Sequence, residues 1–124
     1  MRVLSVFVLL LLASGCDQDP FGRSETHLVG RYRLLQFESG DYYVIDAEHR
    51  DGGGALEGTI VQLGWSDTLL VAERRSLFGG AYEWVLADPR SGQVRGPYSR
   101  ADIERFPDVR AIPISRADSV WARR

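Results

Sequence analysis

Few side chains in this chain could do chemistry, and they do not converge. There is one cysteine, Cys16, and there are two histidines, His27 and His49. Nucleophilic catalysis needs a nucleophile, a base in hydrogen-bond reach and a group that orients the base. No Gly-x-Ser-x-Gly elbow occurs. His27 begins an expected strand and His49 sits in a glycine-rich loop, so neither is placed as a base. Asp46, Glu48, His49 and Asp51 crowd that same loop. Oxygen-rich loops can hold Ca²⁺, but Arg50 stands at the fifth position, where EF-hand spacing requires an oxygen ligand, and its charge repels a cation. The expectation is a solvated acidic loop with no metal and no cofactor. Gly52-Gly53-Gly54 is not followed by Lys-Ser/Thr and opens no helix, so it is not a phosphate loop.

The aromatic residues are the richer set: Tyr32, Tyr42, Tyr43, Trp65, Tyr82, Trp84, Tyr98 and Trp121. Most should serve a core. Strand neighbours point to opposite faces, so Tyr42 and Tyr43 cannot both be buried unless both faces are covered. An exposed Tyr or Trp near Arg is what interface hot spots are made of. Trp65, in an expected turn, and Tyr43 are therefore the candidate interaction residues.

The N-terminus has a charged start (Met1-Arg2), an apolar run (Val3 to Leu12) and small residues before Cys16, the pattern of a secretory signal peptide. The run is about half the ~20 residues a spanning helix needs. With cysteine after the expected cut, Leu12-Ala13-Ser14-Gly15-Cys16 resembles the lipobox of bacterial lipoproteins. That resemblance implies cleavage before Cys16, a diacylglycerol on its thiol, and a chain anchored to a membrane without threading it. Asp17 directly after Cys16 is similar to the retention signal of enterobacterial lipoproteins, which implies the periplasmic face of the inner membrane. Residues 1–15 are then the signal and 16–26, polar with Pro20 and Gly22, the anchor and tether. Residues 27–124 are one domain of ordinary size.

With Cys16 lipidated no thiol remains, so no disulfide framework supports the fold. The formal net charge is −2, and all fifteen basic residues are Arg. They are scattered among acids, without the basic stripe that tracks phosphates, so nucleic acid is not an expected partner.

The elements read mainly as strands. Leu28–Glu38 alternates around Tyr32 and Leu34, with Leu34-Leu35 as an expected bulge. Tyr42–Ile45, Leu56–Leu63, Thr68–Arg74 and Tyr82–Ala87 follow, then a short strand from Gln93 that Gly96-Pro97 should end. Asp88-Pro89-Arg90-Ser91-Gly92 is a turn with fixed φ at Pro89 and free φ at Gly92. Ser99 to Asp102 and Ser115 to Asp118 have capping-box spacing, each opening a short helix; Pro107 should stop the first. Strands first and helices last argue for a mainly β (α+β) fold: a small antiparallel sheet, curled or sandwiched, about six strands with short C-terminal helical turns.

Tyr82-Glu83-Trp84-Val85-Leu86-Ala87-Asp88, a turn, then Gly96-Pro97-Tyr98-Ser99 and a helix ending at Phe106 resembles the C-terminal part of a class of small, uncharacterised bacterial lipoproteins. The class supplies no catalytic residues. The functional expectation is a non-enzymatic domain that binds a protein or other envelope component. A small-ligand module with an aromatic-lined mouth is the alternative. A hydrolase using carboxylates between Asp46 and Asp51 is the remotest.

Overall fold

The alternating segments assemble as two antiparallel sheets. A computed structural model describes residues 24–48, 56–76 and 80–124, and the structural statements that follow concern those residues. Strands β1 (Ser24–Val29), β2 (Tyr32–Gln36) and β3 (Tyr42–Asp46) form a three-stranded sheet in that order. The second sheet is built from β4 (Thr59–Trp65), β5 (Leu70–Arg75), β6 (Tyr82–Ala87), β7 (Val94–Tyr98) and β8 (Ser115–Arg116). Its order is β7-β6-β5-β4-β8, and neither sheet closes into a barrel. Three short helices complete the fold: α1 (Arg100–Ile103), α2 (Pro107–Arg110) and α3 (Ala117–Ala122).

Strand periodicity decides which residues meet between the sheets. From the three-stranded sheet come Tyr32, Leu34 and Val44. Leu63, Leu70, Ala72, Val85 and Ala87 come from the larger sheet, and α3 closes the layer with Ala117, Val120 and Trp121. Each large aliphatic side chain buried there contributes about 1.5–3 kcal/mol. The other face of the larger sheet is also buried. Val71, Trp84 and Leu86 pack against Ile103 of α1, Val109 of α2 and Ile112. That is why Leu69-Leu70-Val71-Ala72 and Trp84-Val85-Leu86-Ala87 are unbroken apolar runs: a strand covered on both sides has no polar face to show.

Several local readings need correction. The stretch 28–38 is not one strand. Gly30, at φ +54°, turns the chain between β1 and β2, and β1 takes in Ser24, Glu25 and Thr26 from the expected tether. Pairing to β2 overrides their polar composition: Thr26 lies opposite Leu34. The irregularity is in β1, between His27 and Val29, whereas Leu34 and Leu35 pair regularly with Val44 and Tyr43. β7 continues through Gly96 and Pro97, which an edge strand tolerates because its outer N–H has no ladder partner. Pro107 starts α2 and does not merely stop α1; the first helical position needs no N–H. Ser99 does cap α1, accepting from the Asp102 N–H at 3.1 Å. Ser115 does not cap α3: β8 holds it against Leu63, and Arg116 takes the cap position without a side-chain hydrogen bond.

Candidate interaction surface

Each sheet has an outer face, and the two are built differently. The outer face of the larger sheet lies under α1, α2 and the chain around Ile112. Gly64 of β4 shows how close this layer sits, because a Cβ there would run into the Pro113 carbonyl oxygen. Among the described residues, no comparable layer covers the outer face of the three-stranded sheet. Register places Glu25 and His27 of β1, Arg33 and Leu35 of β2, and Tyr43 and Ile45 of β3 on that face.

Leu35 is 6% exposed yet lies outside the sandwich core. Glu25 and Tyr43 flank it directly across the two ladders. Phe37, just beyond the end of β2, meets Tyr43 edge-to-face with centroids 4.8 Å apart and planes at 89°. Such pairs add roughly 0.5–1.5 kcal/mol beyond area burial. Phe37 remains 40% exposed and borders the face at the Ser24 end. The rim is polar. Arg33 Nη1 lies 3.3 Å from Glu25 Oε1, and His27 Nε2 donates to the Gly30 carbonyl at 2.9 Å. The Arg33–Glu25 pair is solvated on both sides and contributes about 0–1 kcal/mol. Apolar centre, aromatic pair and charged rim together have the composition of a binding patch.

Tyr43 is therefore on the open face, half-buried. Trp65 is elsewhere. It is the last residue of β4, not part of the turn, and the following turn is closed by the Ser66 N–H donating to the Leu69 carbonyl at 2.8 Å. Trp65 lies opposite Leu70, half-buried against the sandwich core. The two candidates thus lie on different layers and do not form one site. Phe37, Leu35 and Ile45 escaped the sequence reading. Their signal was the alternation across β2 and β3, legible only once the two strands are paired in register.

The acidic loop divides. His49 and Asp51 lie outside the described residues, as do Arg50, the three glycines and Cys16. Asp46 is within them, at the end of β3, and its carboxylate is engaged. Arg31 Nε donates to its Oδ2 at 2.7 Å, and the Glu48 N–H donates to its Oδ1 at 2.9 Å. Arg31 also reaches Glu48 Oε2 at 3.3 Å and donates through Nη1 to the Arg90 carbonyl at 3.2 Å. The Asp46 hydrogen bond raises the pKa of this guanidinium above its ordinary value. Gly92 lies flat against it, at φ +76°, where a Cβ would come within 2.9 Å of the guanidinium carbon. This cluster clasps the end of the three-stranded sheet to the β6–β7 turn. It occupies Asp46, one of the carboxylates a hydrolase would have used, in structural work. Among the described residues, no group of three His, Cys, Asp or Glu side chains is arranged to hold a metal ion.

Beside the clasp, burial pushes the Tyr32 phenol upward in pKa. Its hydroxyl is buried with no hydrogen-bond partner. No family model matches this chain, and neither does any curated protein or solved structure.

Proposed function

We propose that this chain is a lipid-anchored protein of the bacterial cell envelope whose domain is a non-enzymatic binding module. Cys16 carries the anchor, Asp17 keeps the protein at the periplasmic side of the inner membrane, and the partner is a protein or other envelope component. The partner docks on the open face of the three-stranded sheet, centred on Leu35, Tyr43 and Ile45. The observation that supports binding is the unequal treatment of the two outer faces. One has its own helical cover; the other, with no cover among the described residues, sets half-buried Tyr43 and Ile45 beside buried Leu35 within a charged rim. A patch of that kind on a monomer marks an interaction site more often than chance exposure.

The reading is tested by crosslinking in cells and capture of the lipidated protein, wild type beside Tyr43→Ala. A specific partner captured by the wild type and lost on Tyr43→Ala is the expected result. An identical partner profile for both would remove this face from the proposal. Mass spectrometry of the mature N-terminus tests the anchor separately, through a diacylglyceryl group on Cys16.

A further inference from the structure

The register of the three-stranded sheet fixes where the chain leaves the domain toward Cys16. Ser24 lies opposite Gln36, and Gln36 opposite Tyr42. Tyr42 meets Trp121 of α3, with ring centroids 5.9 Å apart. The start of β1, the β2–β3 turn and α3 therefore share one end of the sandwich. The β6–β7 turn is at the other, because the Arg31 N–H donates to the Pro89 carbonyl at 3.4 Å. Tyr82, at the opposite end of β6 from that turn, and Arg75, which pairs with it, belong with the Ser24 end.

That end has a distinct chemistry. Phe37 at 40% and Tyr82 at 62% are the aromatic residues left exposed among those described, and both are there. Arg75, Arg123 and Arg124 are exposed, and no carboxylate among the described residues lies within ion-pair distance of them. Arg124 stacks its guanidinium on the Trp121 ring at 4.1 Å and donates to the Trp121 carbonyl at 3.0 Å, which holds it in place at this end. The acids nearby are Glu38, Asp41, Asp118 and exposed Glu57, which precedes the Gly58 packed on the Arg75 backbone. Arg116 binds Asp118 at 3.3 Å and lowers its pKa, and Asp41 accepts from the Ser39 hydroxyl at 3.1 Å. Aromatic rings at headgroup depth and arginines beside lipid phosphates are the side chains a bilayer interface favours.

Ser24 lies eight residue steps after Cys16. At ~3.3–3.6 Å per residue that chain reaches at most ~29 Å. We infer that the Ser24 end of the domain is a second membrane contact, with Phe37 and Tyr82 entering the headgroup region and Arg75, Arg123 and Arg124 meeting the phosphates of anionic phospholipid. The inference rests on the lipid-anchored reading. It stands the strands away from the bilayer, turns the Arg31 clasp outward and presents the open face sideways, to partners held at the same membrane. Phe37 serves both surfaces: one side packs on Tyr43, and the rest projects at the Ser24 end.

The test uses the mature protein held by its own anchor in vesicles of phosphatidylethanolamine and phosphatidylglycerol. The acylated Cys16 offers no free thiol, so Ser39→Cys and Ser91→Cys each give one labelling position, at the Ser24 end and the far end. An environment-sensitive fluorophore at residue 39 is expected to shift to the blue and to be quenched by headgroup-depth spin-labelled lipid. The same probe at residue 91 should do neither. Phe37→Ser with Tyr82→Ser, checked for native circular dichroism, should abolish the shift at residue 39. Aqueous emission at both positions overturns the inference, as does a shift that survives the double substitution. Mass spectrometry of the same preparation separates the two failures. An acylated chain with an aqueous residue 39 sinks the docking alone; a chain without acyl groups sinks the anchored reading and the docking with it.

Discussion

The two outer faces begin from similar strands and end in different states. On the larger sheet, Val71, Trp84 and Leu86 are almost fully removed from water, because α1, α2 and the segment around Ile112 fold back over them. On the smaller sheet, Leu35 is buried and Tyr43 and Ile45 are half-buried, and no layer of the described residues lies over them. The difference teaches that an apolar strand face is not in itself a core or a site. What lies against it decides. Where α1, α2 and the Ile112 segment cover the strands, apolar residues contribute to stability; where no described layer does, we propose that they serve a partner.

Substitutions should break this contrast in a definite order. Trp84→Ala on the covered face removes a ring packed beneath α1 and the Ile112 segment, and should cost about 3–5 kcal/mol in urea unfolding. A loss below about 1 kcal/mol would mean that the helical layer is not packed as described. Gly64→Val forces a side chain against Pro113 and Ile112, and overpacking of this kind costs typically ~1–3 kcal/mol. Hydrogen exchange should show the damage concentrated at β8 and the 111–114 segment, with β1 to β3 unchanged.

Beneath both faces, Tyr32→Phe should raise stability by about 1 kcal/mol, since it removes a buried hydroxyl that no partner satisfies. It should also flatten the alkaline limb. Burial raises the folded Tyr32 pKa, so the unfolded chain ionises first. Stability is then full below about pH 10 and falls as the pH rises toward the folded value. Tyr32→Phe lacks that ionisation, so an unchanged alkaline limb would assign it to another group.

On the open face, Tyr43→Ala should move unfolding by no more than about 1 kcal/mol while abolishing partner capture. A large stability loss would make Tyr43 a packing residue, and the contrast between the faces would weaken. The smallest effect belongs to the β6–β7 turn. The Arg90 and Ser91 N–H groups donate to Asp88 Oδ1 at 2.8 and 3.3 Å and hold its carboxyl below the usual range. That contribution is present above the ordinary carboxylate pKa, near pH 4, and is lost as the pH falls through the lower folded value. The amide resonances of Arg90 and Ser91 should move together below pH 4, and a midpoint at or above the ordinary value would contradict the bonds.

Legibility in the sequence followed the range of the interaction. β6 was read to the residue, because Tyr82–Ala87 is bounded by a Pro/Gly turn and is too apolar for a loop. Ser99 was legible as a cap because its acceptor role spans three residues. Ser115 has the same spacing and fails, because pairing with Leu63 claims it for β8. β1 was half missed for a related reason: Ser24-Glu25-Thr26 has a tether's composition and becomes a strand only through β2. Asp46 looked like a member of an acidic loop, while its actual partner, Arg31, lies fifteen residues back along the chain.

The sequence by itself determined the mainly β class, the antiparallel pairing, the helical C-terminus and the alternation that puts Tyr42 and Tyr43 on opposite faces. These depend on periodicity and on turn chemistry, which act over a few residues. Only the tertiary structure decided that there are two sheets, that Trp65 belongs to the sandwich and Tyr43 to the outer face of the smaller sheet, and that Phe37, exposed beyond β2, borders the end where β1 begins. Those outcomes depend on which layer packs against which. That choice is made by burial summed over distant segments, and no local pattern carries it.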